Sequence, residues 1–563
     1  MWVQLVLYRV LGTFFLWTVF NPDEYWQCLE VAHRLVFGYG HLTWEWQPDA
    51  MLRGFSHPLL FVPPYQLLKW TGLDNIMPLL TNIPYVWQSI LFASGEWALF
   101  HAAQRWFSLP VARWTLLLSL CNWFNHFSGL RPLVNSLEVV LVSFVWMWWP
   151  IAPLRSAGFL RDKNLNLGLF CMMLCLVIRP TAAIYFIWLI VFHMYGLGLS
   201  LRRQLNFLFH LLGAGCLALS LMVAIDSYFY HSIHSGTTIT MDYSSWVFVP
   251  WNFIRFNLLQ DGAAQYGVHP WYWYLTEGWT TLLGPHLLLI VCCVPALIIV
   301  MRREKTNENE NENEKRQGKK QKTLSRIKPA TLLLVLMLVA PTTILSRSAH
   351  KEFRFLHPLL PFALILLALL LHRLQQATQR LSQGSKGVRG SSSSSSSSMR
   401  GTRLLWQLVV LVCVANGIMM AVFGLVHQQG GLSVMSALKQ LEVEEGNNAT
   451  MHVLFLTRCH FTPWQSHWHQ ADWNAHWWDC SPPRQHSEEA AFHSHPLEML
   501  EDYVGKRGLP THVVMFAEGQ PVEVTDWLRE QGLSHPLWEG WNGWETNEHH
   551  VIILGQPPQK SKP

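Results

Sequence analysis

Apolar residues along the chain come in blocks separated by short polar or proline-rich stretches, and many blocks approach the ~20 residues a membrane-crossing helix needs. About eleven such blocks are predicted as spanning helices: 2–20, 85–104, 111–127, 134–150, 166–178, 184–198, 206–226, 280–300, 328–346, 355–372 and 404–426. Arg179-Pro180 falls between two short blocks, and because proline disfavours helix at the residue before it, a tight turn is expected there. His57 to Trp70 is apolar but short and broken by Pro58, Pro63 and Pro64, and reads as an interfacial or re-entrant piece. After 426 the pattern changes. His452–Cys459, Thr511–Ala517 and His549–Leu554 read as buried strands, with Glu498–Val504 and Val524–Gly532 as helices between them. The pattern predicts a polytopic all-α membrane region over 1–426 and a small α/β domain over 427–563.

Composition agrees with this pattern. Only 14% of the 563 residues are charged, against about 25% in an average soluble chain. Half are apolar, and 30 tryptophans fit extensive interfacial surface. A small secreted protein, a disordered chain and a nucleic-acid binder are excluded. The segment 2–20 lacks a basic start and a small-residue cleavage site, so it reads as a retained span. Orientation follows the basic loops. The connections 301–327 and 373–403 carry nine and six Lys or Arg around an Asn-Glu repeat and a run of eight serines, Ser391 to Ser398. Both read as disordered and cytosolic. Alternation then puts 21–84, 128–133, 179–183, 227–279, 347–354 and the tail on the lumenal side. The glycosylation acceptor Asn448-Ala449-Thr450 falls in that tail.

The expected lumenal loops collect the groups suited to chemistry. Asp23 and Glu24 follow directly after the first span, ahead of a helix carrying Tyr25, Trp26, Glu30 and His33. They read either as reactive carboxylates or as an N-cap and its dipole partner. Trp44 and Glu45, in a polar-aromatic stretch after Gly38 and Gly40, suit a sugar-binding loop or an interfacial aromatic belt. Arg347, His350, Lys351 and Arg354 crowd one short loop, a pattern that suits a bound phosphate. Arg131 and Arg179, each beside a proline, are further candidates that could instead pair with Glu138 or another acid. Cys459 and Cys480 flank a His- and Trp-rich stretch whose spacing fits no common zinc site, so a disulfide is expected and no metal.

The segments "NPDEYWQCLEVAHRLVFGYGHLTWEW" at 21–46, "RPLVNSLE" at 131–138, "IRPTA" at 178–182, "HKEFRFLHPLLPF" at 350–362 and "CHFTPWQSHWH" at 459–469 resemble the dolichol-phosphate-mannose-dependent mannosyltransferases of glycosyltransferase family 22. They run in one order across most of the chain, and within the family they are most similar to the members acting on the GPI-anchor precursor. The resemblance implies the GT-C fold, a multi-pass location in the endoplasmic reticulum membrane, and transfer of a third, α1,2-linked mannose. Both substrates would be membrane lipids, dolichol-phosphate-mannose and a mannosylated GPI precursor, with no cofactor. The family usually carries His at the position of Asn21, which leaves Asp23 as the acid expected to act, with Glu24 as the alternate. Enzymes that extend the dolichol-linked N-glycan precursor or add a fourth GPI mannose share the donor and stay open as readings. From another class, so does a polytopic lipid or solute transporter, which would need polar span centres and internal repeats.

Overall fold

A computed structural model describes residues 1–150, 163–197, 200–234, 246–260, 262–314, 329–384, 393–445, 451–483 and 487–557. Asn448 lies outside the described residues. In a lipid environment a backbone must satisfy its own polar groups, which helices do. Helices cover most of each of the eleven apolar blocks.

The expected span count is replaced by a coarser result. Among the described residues, three single helices are long and apolar enough to cross a bilayer: Leu201–His234, Phe353–Arg380 and Thr402–Leu425. Tyr274–Leu283 and His286–Ile299 meet the same test together but bend by 100° at their junction. Other apolar helices, such as Leu109–Cys121 and Val134–Trp148, are shorter than a crossing requires. Helix Met77–Trp106 packs against Trp2–Gly12, Leu109–Cys121 and Val134–Trp148 and forms the centre of the body. There Arg9 is fully buried, with Nε donating to Glu96 Oε2 at 2.8 Å and Ser119 Oγ donating to the same carboxylate.

The break at Arg179-Pro180 separates helices Lys163–Ile178 and Ala183–Leu197 through a single 3-10 turn. Residues 58–71 form a 3-10 turn and a ten-residue helix, Val62–Thr71, too short to span. The two low-complexity stretches depart from the expected disorder in part. Helix His286–Glu314 runs on through the Asn-Glu repeat, and helix Ser393–Leu425 begins inside the serine run. Extending an existing helix avoids the nucleation cost that would forbid these sequences from starting one.

The C-terminal region holds a five-stranded sheet of order β2-β1-β3-β5-β4. Its strands are β1 (His452–Leu456), β2 (Asn474–Trp477), β3 (His512–Phe516), β4 (His535–Trp541) and β5 (His550–Gly555). β1 runs parallel to β2 and β3, while β5 is antiparallel to β3 and β4. The sequence pattern finds the three inner strands and misses both edges. β2 and β4 are largely half-exposed, and β4 carries Pro536, which is tolerated at an edge because one side needs no ladder donor.

This region is not an appendage. Tyr25, Trp26, Val434, Val453, Val514 and Ile553 belong to one buried apolar cluster spanning both parts of the chain. At its rim Glu30 accepts hydrogen bonds from Trp464 N (2.8 Å), Ser466 N (3.2 Å) and Ser466 Oγ (2.6 Å). Burial raises the Glu30 carboxyl to about 7, although those donors oppose the shift. A carboxyl whose folded pKa lies above its unfolded value stabilises most below the unfolded pKa, and that contribution is lost as pH rises through the folded one. The junction of helix Glu30–Phe37 with residues 464–466 is therefore expected to loosen as pH rises from about 4.5 to about 7. Limited proteolysis of the 457–470 segment across that range should show the trend, and Glu30→Gln should flatten it.

Candidate active site

The first loop is shaped by Asn21. Its Oδ1 accepts from Asp23 N at 3.0 Å, an Asx turn that starts the following helix while leaving the Asp23 carboxylate directed outward. That helix opens with a π-turn, Tyr25–Leu29, a feature frequent at functional sites. The neighbouring acids thus face different surroundings. Asp23 lines an open cavity, whereas Glu24 is fully buried.

The cavity is walled by the first loop, by Trp44, Glu45 and Arg53, by the 350–355 turn, and by Cys459, His460 and Cys480. Arg354 lies across it from the sequence-distant first loop and makes a direct ion pair with Asp23. Glu352 holds Arg354 in a two-point fork, Nε to Oε2 at 2.6 Å and Nη2 to Oε1 at 2.7 Å. It also bonds His350 Nε2 (2.9 Å) and accepts from Asn21 Nδ2 (3.0 Å). Burial works against ionising Glu352, but Arg354 and His350 hold its carboxyl well below the usual carboxylate range. Arg53 pairs with Glu45 (Nη2 to Oε1, 2.6 Å), which also accepts from Gln27 Nε2 at 3.0 Å. Arg179, 3.3 Å from Glu138, brings its guanidinium 5.7 Å from the Phe355 ring, and Arg354 lies 5.6 Å from the same ring.

A second, smaller pocket shares Asp23, Gln27, Arg53, Arg179 and Phe253 with the first. Its remaining walls are mostly apolar, with Val134, Ile178, Met222 and Val249 among them. A polar chamber and an apolar one meet at a waist of one carboxylate and two guanidiniums.

The structure brings Asp23, Arg354, His350, Arg179, Trp44 and Glu45 to this cavity and withdraws the other candidates. Arg131 is completely buried: Nη1 bonds Glu24 (3.0 Å) and Thr18 O (2.6 Å), Nη2 takes Thr18 Oγ1, and Nε takes Phe127 O. With its donors used inside the protein it is no phosphate ligand, and Glu24 is its counter-ion rather than an alternate base. Tyr25 is buried with its hydroxyl accepting from Tyr85 at 3.0 Å, and Trp26 donates to Thr462 O at 3.0 Å. With Glu30 they hold the C-terminal region in place, not a sugar. Lys351 is buried, its Nζ spent on the carbonyls of His269 (3.0 Å) and Ser348, while Arg347 is exposed and outside the cavity lining. Sequence reasoning missed Glu352 and Arg53. Glu352 carried a signal, as the one acid inside a cationic run, but Arg53 stood alone.

Cys459 and Cys480 are joined in a disulfide that forms part of the cavity wall. Among the described residues, only these two sulfurs and His460 bring three potential metal-ligand atoms together. Zinc takes thiolates, which a disulfide does not provide.

A helical body joined to a small α/β region is a GT-C-like architecture. ArnT from Cupriavidus metallidurans, solved with undecaprenyl phosphate, matches over 99% of this chain and 98% of its own, with a TM-score of 0.56 at 13% identity. The chain belongs to the Alg9-like mannosyltransferase family, which residues 1–469 match. Similar curated proteins include GPI alpha-1,2-mannosyltransferase 3 of Danio rerio, 32% identical over 94% of this chain and 85% of that protein. The human protein of the same name is 30% identical over 90% of this chain and 78% of its own length. Mannosyltransferase APTG1 of Arabidopsis thaliana is 32% identical over 91% and 83%.

Removing one partner of a buried ion pair strands the other charge at a cost of about 3–5 kcal/mol. Glu24→Ala is therefore expected to lower the yield and melting temperature of purified protein sharply. The double change Glu24→Leu with Arg131→Met should recover much of the loss, as fluorescence-detected size exclusion and thermal unfolding would show.

Proposed function

We propose that the chain transfers the third, α1,2-linked mannose from dolichol-phosphate-mannose to the GPI-anchor precursor, at the lumenal face of the endoplasmic reticulum membrane. The observation carrying this reading is the position of Asp23 at the waist between a polar and an apolar chamber. One carboxylate there faces both a route for a lipid-linked donor and a space for a glycan acceptor. The names of the similar proteins support the acceptor class and the linkage.

A β-linked lipid phosphate donor and an α-linked product correspond to a single in-line displacement with inversion. Asp23 takes the proton from the attacking acceptor hydroxyl as the new C–O bond forms and the bond to phosphate breaks. It pairs with Arg354 and borders both chambers, which suits the reach a base requires. The departing lipid phosphate carries the developing negative charge, which preorganised guanidiniums at the waist stabilise. Arg53 and Arg179 fill that role at the waist and Arg354 from the polar chamber beside it, each held from behind by a carboxylate: Glu45, Glu138 and Glu352. Arg354 also pairs with Asp23. A donor phosphate competing for that guanidinium frees the base, so donor binding would precede proton abstraction.

Asp23→Asn should lower turnover by about 10²–10⁴-fold, the range for loss of a positioned base, with donor binding retained. Radiolabelled donor and purified enzyme would measure both, and near-normal turnover would remove Asp23 from the role. Arg354→Gln should raise the KM for donor far more than that for acceptor. Offering a two-mannose GPI lipid against a dolichol-linked oligosaccharide decides the substrate: preference for the latter would overturn the GPI assignment.

A further inference from the structure

The C-terminal sheet contains a second candidate site. The chain leaves β1 towards β2 on one side and reaches β3 on the other, while the chain after β3 continues away towards β4 and β5. The loops that follow the carboxyl ends of β1 and β3 therefore diverge, and such a switch point is where open α/β sheets bind ligands. A crevice of about 740 Å³ lies there, between Leu456 to Arg458 at the end of β1 and Phe516 to Pro521 at the end of β3.

Its lining is aromatic and acidic. Trp478 stacks on Phe492 with centroids 5.2 Å apart and planes 25° from parallel. Trp478 is only 5% exposed, and its indole N–H is buried without a protein acceptor. Glu489, Glu518 and Glu548 share the crevice with a single arginine, Arg458, whose guanidinium is already taken by Glu545 and Glu548. An anionic ligand finds no spare guanidinium here. The exposed edges of these two rings lie beside carboxylates that keep lone pairs beyond their bonds to Cys459 N, His550 and Arg458, a lining that suits the CH groups and hydroxyls of a saccharide.

The crevice also adjoins the cavity. Arg458 lines one, and the next two residues, Cys459 and His460, line the other. Glu489 joins them directly, since its Oε1 accepts from Cys459 N at 3.0 Å while its side chain borders the crevice.

We propose that this crevice is a second glycan-binding subsite, holding saccharide units of the acceptor away from the hydroxyl placed at Asp23. The acceptor part of this inference rests on the transferase reading above, while the affinity for glycan does not. The test uses the full-length protein in detergent, with Gln520→Trp narrowing the crevice at its rim and His493→Trp as a second variant should the first not fold. With the two-mannose GPI lipid, the KM for acceptor should rise about tenfold, the scale of a lost pocket contact. The maximal rate and donor KM should hold, and a simple methyl mannoside, too short to reach both sites, should react as before. An unchanged acceptor KM in the folded variant overturns the proposal. If wild-type protein uses neither acceptor, the transferase reading fails on its own. The crevice is then judged by saturation-transfer NMR with mannotriose: a signal lost in Gln520→Trp supports it, and no signal from wild-type protein overturns it.

Discussion

The site depends on one half-buried acid, Glu352. Three partners converge on its two oxygens: the fork of Arg354, the ring of His350 and the amide of Asn21. Arg354 and His350 flank it in one turn, while Asn21 comes from the sequence-distant first loop, so this carboxylate ties the two segments together. Coulomb attraction outweighs the cost of burying the carboxylate because the guanidinium meets it in parallel, the strong geometry for such pairs. The same amide belongs to the residue that turns the first loop and presents Asp23. One carboxylate thus positions both the base and the guanidinium facing it.

Two adjacent acids show how environment, not residue type, assigns a role. Asp23 and Glu24 differ by one methylene and one position, yet one faces a cavity and the other has no exposure. The Asx turn at Asn21 sets the phase of the helix, and that phase sends one side chain outward and the other into Arg131. The arginines divide in the same way. Arg131 is saturated by internal acceptors, while Arg53, Arg179 and Arg354 border open space with a carboxylate at their back.

Much of this was legible from the sequence, and the failures have physical causes. Periodicity and length find the helices and the inner strands because burial on both faces leaves a continuous apolar run. The edge strands leave no such run, so β2 and β4 were invisible. Helix existence was readable, but span number was not, since several apolar helices are shorter than a bilayer is thick and one pair bends sharply. Within the site, clustering of charge in short loops pointed to Asp23, His350 and Arg354. It could not tell a cation facing a cavity from one spent on backbone carbonyls, as with Lys351. Nor could it find Arg53, whose partners Glu45 and Gln27 come together only when the first loop folds back on itself.

The apolar cluster that joins Tyr25 and Trp26 to Val453, Val514 and Ile553 has a practical consequence. Cutting the chain between its membrane and sheet-bearing halves would bare greasy surface on both fragments, so neither half is suited to production as a free-standing piece. By the same logic, damage near the carboxyl terminus is not remote from the chemistry: a frameshift that deletes β5 strips packing from beneath the very loop that offers the reactive acid.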